Sequence, residues 1–216
     1  MHFMAESATP TRERRRVETT RTLVSLARRR TAADGLNGFT IEELCDEAGI
    51  SRRTFFNYFA SKEDAVFGIP LHIDTAQADE LFVGMRPRTA PGAISASLLT
   101  DLAALIEGRW AALEFDQASA RELMGAAERE PRLVAHMLER HHRDEQNDIA
   151  LVARREGASP DDPRVVAAVQ IVGHLARLAV PASLDPDDPR TFAEVLEGSL
   201  HTARELFASQ AATRSP

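Results

Sequence analysis

Apolar positions between Thr40 and Lys62 come in short bursts, and a hydroxyl residue precedes each helical stretch. Thr40 stands before Ile41 and Leu44, Ser51 before Phe55 and Phe59, and Ser61 before Lys62-Glu63-Asp64. Thr40-Ile41-Glu42-Glu43 has the spacing of a capping box, in which the threonine oxygen takes a free N–H and Glu43 reaches back. Gly49 supplies the left-handed residue that ends a helix, so the stretch opened by Thr40 runs only to Ala48. Ser51 then opens Arg52–Phe59, and Ser61 opens a further helix with Glu63 and Asp64 suited to its dipole. Helices of about two turns are not stable alone, so Ile41, Leu44, Ile50, Phe55 and Phe59 must pack together. Two short helices around a three-residue turn read as a helix-turn-helix. Cys45, where the two cross, reads as a small core side chain rather than a nucleophile.

Upstream, one helix from Arg12 to about Asp34 is ended by Gly35 and Gly38. Downstream the texture changes to long amphipathic helices punctuated by proline. They are expected from Pro70 to near Gly84, Ala93 to about Trp110, Gln117 to Glu128, and Pro131 to about Glu156. Pro-Asp-Asp-Pro occurs at 160–163 and again at 186–189. Each copy offers an aspartate cap and a proline at the first helical position, predicting helices over about 163–179 and 189–208. No segment sustains strand alternation, so the chain is expected to be all-α.

Composition sharpens this picture in two respects. The 216 residues carry a net charge of −7, which taken whole disfavours nucleic acid. Arg12 to Lys62, however, holds eleven basic against seven acidic residues, a net of +4. A basic head on an acidic body is the footprint of a nucleic-acid module joined to something else. The single cysteine forms no internal disulfide and fits a reducing cytoplasm. Neither a secretory leader nor a membrane-spanning run is read in the chain, so no membrane partner is expected.

The residues Thr40-Ile41-Glu42-Glu43-Leu44, Ala48-Gly49-Ile50-Ser51, Thr54, Tyr58-Phe59 and Ser61-Lys62-Glu63 resemble the DNA-binding domain of the tetracycline-repressor (TetR) family of bacterial transcription regulators. The likeness runs from about Val17 to Phe67. It implies a dimeric regulator, most simply a repressor released from palindromic operator DNA by a small-molecule effector. Physical chemistry gives the same roles to the head. Arg52 and Arg53 at the start of a recognition helix suit guanine O6 and N7. Thr54, Tyr58 and Lys62 suit the phosphate backbone, Asn57 suits either adenine or phosphate, and the caps Thr40 and Ser51 are counted with them as DNA-binding residues. Phe56 stands where the family usually has tyrosine, so one hydroxyl is missing. Arg28-Arg29-Arg30-Thr31 occupies family positions that are usually apolar; the expectation is that the arginine stems cover apolar surface with their heads in water.

The resemblance divides the chain into a disordered tail (1–11), a helix-turn-helix domain (12–67), an effector-binding and dimerisation domain (68–210) and a C-terminal tail (211–216). Two stripes on the last helices are expected at the dimer interface: Val165, Val169, Val172, Gly173 and Ala176, then Phe192, Val195, Leu196, Ser199, Leu200, Ala203 and Leu206. Packing of both stripes inside one chain is the alternative, and spacing alone does not separate them. Phe82, Met85, Leu102, Trp110, Phe115, Met124, Met137, His141 and His174 are the expected effector-pocket lining, although each also suits an ordinary core. His141 and Glu145 alone make a weak metal pair, so neither metal nor cofactor is expected. A helical enzyme is the rival class. Neither a Gly-x-Ser-x-Gly elbow nor a phosphate-cradling glycine loop occurs to support it.

Overall fold

A computed structural model describes residues 8–69, 76–90, 92–113, 115–185 and 187–212. Among these residues every regular element is a helix. They are α1 (Ala8–Asp34), α2 (Ile41–Ala48), α3 (Arg52–Tyr58), α4 (Lys62–Phe67), α5 (Ala76–Gly84), α6 (Leu98–Ala112), α7 (Gln117–Arg129), α8 (Arg132–Glu156), α9 (Pro163–Leu184) and α10 (Phe192–Ala212). The chain forms two compact units, one of Met1–Ile73 with Ala118–Leu138, the other of Asp74–Gln117 with Glu139–Pro216.

In the first unit, α2 and α3 are only eight and seven residues long, so packing must hold them. Leu23, Leu44, Phe55, Phe59 and Val66 are wholly buried, each contributing about 1.5–3 kcal/mol relative to exposure. Leu133 of α8 and Ala126 of α7 enter the same core. The head is therefore larger than the expected 12–67: α7 and the first turns of α8 belong to it. Helix α1 begins at Ala8, inside the expected tail, whose first seven residues lie outside the described ones. Likewise α10 runs to Ala212, and the rest of the expected C-terminal tail lies outside.

Arg28 departs from expectation. It is 2% exposed, and its Nε donates to the Val66 carbonyl at 2.8 Å while Nη2 reaches Phe67 O at 3.4 Å. Its head is thus buried against the end of α4 instead of lying in water. The reason is that the last carbonyls of a helix lack intrahelical partners and attract a cation. Thr31, also wholly buried, donates its hydroxyl to Ala27 O at 2.7 Å.

The second unit builds one core from α5, α6, α8, α9 and α10. Its buried polar centre explains why α6 starts at Leu98 and not at Ala93. Ser95 N and Oγ both donate to the Glu156 carboxylate, at 2.9 and 2.7 Å, and hold the chain out of a helix there. Arg155 completes the cluster, donating to Phe82 O at 3.1 Å and to Ser95 Oγ at 2.8 Å, and pairing with Asp101 and Glu156. The hydrogen bonds from Ser95 and the charge of Arg155 outweigh burial and keep Glu156 below the usual carboxylate range.

The two Pro-Asp-Asp-Pro sequences behave differently. Asp162 caps α9 with Pro163 in its first turn, whereas α10 waits for Phe192. There Thr191 and Glu194 form a reciprocal box, with Thr191 N donating to Glu194 at 2.7 Å and Glu194 N to Thr191 Oγ1 at 3.2 Å. Helix α9 also continues past its expected end, through Pro181 to Leu184. By length and composition alone α9 is apolar enough to cross a membrane, but Val165, Ala168, Val169, Val172, Ala176 and Ala179 are buried in this core.

Candidate nucleic-acid interface

Three local devices aim α3. The Thr40 box is present, with Thr40 N donating to Glu43 at 2.7 Å and Glu43 N to Thr40 Oγ1 at 3.1 Å. Those bonds from Thr40 hold the Glu43 carboxyl below its ordinary range. At the other end of α2, Gly49 sits at φ 69, its N–H on Asp46 O, and Ile50 N reaches Cys45 O at 3.0 Å. This closure turns the chain sharply and needs the left-handed residue. Ser51 then caps α3, accepting from Thr54 N at 3.1 Å, with its oxygen 2.8 Å from Thr54 Oγ1. Cys45 is 2% exposed and burial pushes its thiol up, which fits a core residue.

On α3 itself, Phe55 and Phe59 face inward with ring centroids 5.9 Å apart. Arg52, Arg53 and Asn57 are exposed, while Thr54 and Tyr58 are half-buried at the edge. The two arginines differ in a way their adjacency does not reveal. Arg52 pairs with Glu42 of α2 and lies 5.5 Å from the Phe56 ring centroid. Arg53 makes no ion pair or hydrogen bond among the described residues. Phe56, 39% exposed, packs edge-on against Phe55 at 5.4 Å.

Lys62, expected on phosphate, is also engaged within the head. Its ammonium donates to the carbonyls of Leu36 and, at 2.7 Å, Phe39, and lies 4.7 Å from the Phe39 ring centroid. At least two of its three protons thus fasten the α1–α2 loop to the start of α4. The opposite side of that loop is held by Glu130, which accepts from Leu36 N at 3.3 Å. Bonding to Arg132 lowers the Glu130 carboxyl to about 2. His136 of α8 bonds the buried Asp64 at 3.0 Å and stacks on Phe67. Sequence reading missed Glu42, Glu130 and His136 as supports of the head. Only the Glu42–Arg52 charge complementarity left any trace in the sequence.

The expected effector residues fall into separate places. Phe82 and Leu102 lie in the core of the second unit. Trp110 stacks on Phe192 at 4.9 Å, with Phe115 tilted against it at 5.6 Å. Met85 is exposed, as are Met124 and Met137, which belong to the first unit. Among the described residues, His141 and His174 line a common cavity between α8 and α9. Glu139 and His142 on α8 have a metal-ligand spacing and are both exposed; among the described residues no three such side chains converge.

The expected dimer stripes divide by burial. Val165, Val169, Val172, Ala176, Phe192, Val195, Leu196 and Leu200 are buried within one chain, as in the alternative packing that their spacing left open. Gly173 lies beside Arg177, while Ser199 and Ala203 are half-buried. Of the stripe, only Leu206 is well exposed, at 59%.

A capped helix pair projecting two arginines from a small helical head defines a helix-turn-helix DNA-binding regulator. Residues 23–67 match the family described as bacterial regulatory proteins, tetR family. The chain is also 30% identical over 181 residues to the HTH-type transcriptional regulator TcmR of Streptomyces glaucescens, covering 82% of this chain and 79% of that protein. The chain belongs to the TetR family of transcriptional regulators.

Proposed function

We propose that the chain acts as a homodimeric repressor that holds a palindromic operator through two copies of α3 and releases it when a small molecule binds the second unit. The observation that carries this reading is the start of α3, where Arg52 and Arg53 stand exposed beside the helix N-terminus, over a core that fixes the helix from behind. In it Arg53 and Arg52 read base edges, with Asn57 one turn further on. The Thr54 and Tyr58 hydroxyls, the remaining ammonium proton of Lys62 and the N-terminal backbone N–H groups grip phosphate. Thr40 and Ser51 act mainly as the caps that place these donors.

Dimerisation is assigned to the outer flank of α9 and α10. Leu178 and Leu206 are 55% and 59% exposed, and Ile171 and Leu175 are half-buried at helical spacing from Leu178. A Cβ added at Gly198 would meet nothing within 4 Å, so a second helix has room to approach there. The test is selection of bound sites from random DNA, followed by binding measurements and light scattering. The expected result is a two-fold symmetric site with half-sites about 34–36 Å apart or a multiple of it. Leu178→Glu with Leu206→Glu should give folded monomers with weakened operator binding. A wild-type monomer at micromolar concentration, or recovery of no preferred sequence, refutes the reading.

A further inference from the structure

The cavity between α8 and α9 has a volume of about 310 Å³, at the lower end for small-molecule sites. Its charges are unevenly satisfied. Asp148 is held by Arg109 at 2.7 Å, Asp144 by Arg140 at 3.7 Å, and Glu145 accepts from Gln170 at 3.0 Å. Arg177 has no such counter-charge. Its Nη1 donates to His141 and its Nη2 to His174 Nδ1 at 3.4 Å, so the guanidinium is fixed by two imidazole acceptors. A Cβ on Gly173 would stand 3.9 Å from Nη1, which places that residue beneath the guanidinium. The cavity wall there is Val169.

Such a fork, pre-positioned and lacking a carboxylate, matches a carboxylate in shape and charge. A divalent metal fits less well, because the guanidinium bonds both histidines and, among the described residues, no third ligand converges. A cationic ligand would have to compete with Arg109 for Asp148 and with Arg140 for Asp144, while Glu145 is bonded to Gln170 and lies 3.9 Å from His141.

Resting on the effector-release reading above, we propose that this cavity binds a small carboxylic acid. Its carboxylate takes the Arg177 fork, and a second polar group, a hydroxyl or amine, bonds the Glu145–Gln170 pair. The experiment is calorimetric titration of the full-length protein with 4-hydroxybenzoate, 4-hydroxyphenylacetate and salicylate, each beside its neutral amide. At least one acid should bind, its amide about tenfold more weakly or worse, and Arg177→Gln should lose binding to the same extent. Arg177→Gln should keep the wild-type thermal midpoint, because Arg177 is exposed. Arg143→Gln, on the exposed surface of α8, should bind as wild type. The proposal is overturned if no acid binds, if acid and amide bind alike, or if Arg177→Gln leaves affinity unchanged. Operator binding separates the two ideas. An acid held through Arg177 that leaves the protein on its operator refutes release and keeps the site. Release by a neutral molecule that is indifferent to Arg177→Gln does the reverse.

Discussion

Glu42 is the side chain whose removal most directly tests how α3 meets DNA. Its carboxylate pairs with Arg52, and the two side chains are 54% and 62% exposed. Exposed pairs of this kind are worth about 0.2–1 kcal/mol, and DNA binding through Arg52 must break this one. Glu42→Gln removes that cost and one negative charge close to phosphate. Operator affinity should therefore rise by up to about fivefold from the pair alone. Arg53 carries no such tie, so Arg53→Ala should lose the whole of a bidentate contact, about 1–3 kcal/mol, and relax base preference at one operator position. Arg52→Ala should cost less, by the pair energy it no longer has to break. The assay is fluorescence anisotropy on a selected operator and its single-base variants, titrated with salt. If Glu42→Gln weakened binding, or if Arg52→Ala cost clearly more than Arg53→Ala, the pairing would be a positioning contact instead of a competitor. The reasoning would then fail.

Other consequences concern the fold of the head. Lys62→Ala should lower stability by about 2–3 kcal/mol as well as weaken DNA binding, since charge-assisted bonds to two loop carbonyls are lost; urea denaturation reads this directly. Arg28→Met keeps the stem but strips the donors, leaving Val66 O and Phe67 O short of partners, and should cost about 2–4 kcal/mol in the same assay. Because Glu130 is depressed to about 2, its contribution is fully present above the ordinary carboxylate pKa and lost as pH falls from about 4.5 through 2. Acid titrations of wild type and Glu130→Gln should diverge above that window and converge within it.

Elements set by contacts within one or two turns could be read from the chain. The Thr40 box, the Gly49 turn and the Ser51 and Ser61 caps act between residues at most a few positions apart, so their spacing is their structure. Helix α10 shows the limit of that rule. The second Pro-Asp-Asp-Pro carries the same signal as the first, yet Thr191 and Glu194 satisfy the free N–H groups better and move the start downstream.

Burial partners were decided only in three dimensions. The stripe Val165, Val169, Val172 and Ala176 repeats at helical period whether it meets its own chain or another, because periodicity records that a face is covered and not by what. The fold covers it from within, so Leu196→Glu and Leu200→Glu would disrupt a core before they could report on assembly. Charged residues show the same division. Arg28, Arg29 and Arg30 are adjacent, but only Arg28 points at the open end of α4 and is drawn inside, while Arg29 stays exposed and Arg30 pairs with Glu47 at 3.1 Å. Arg52 and Arg53 likewise differ through Glu42, ten positions before Arg52, and through the Phe56 ring beside Arg52. The boundaries of the capped helices between Thr40 and Phe67 could be read from the chain, since capping energies are local. Tertiary structure alone decided which charges stay free, since an ion's nearest partner depends on how distant helices are packed.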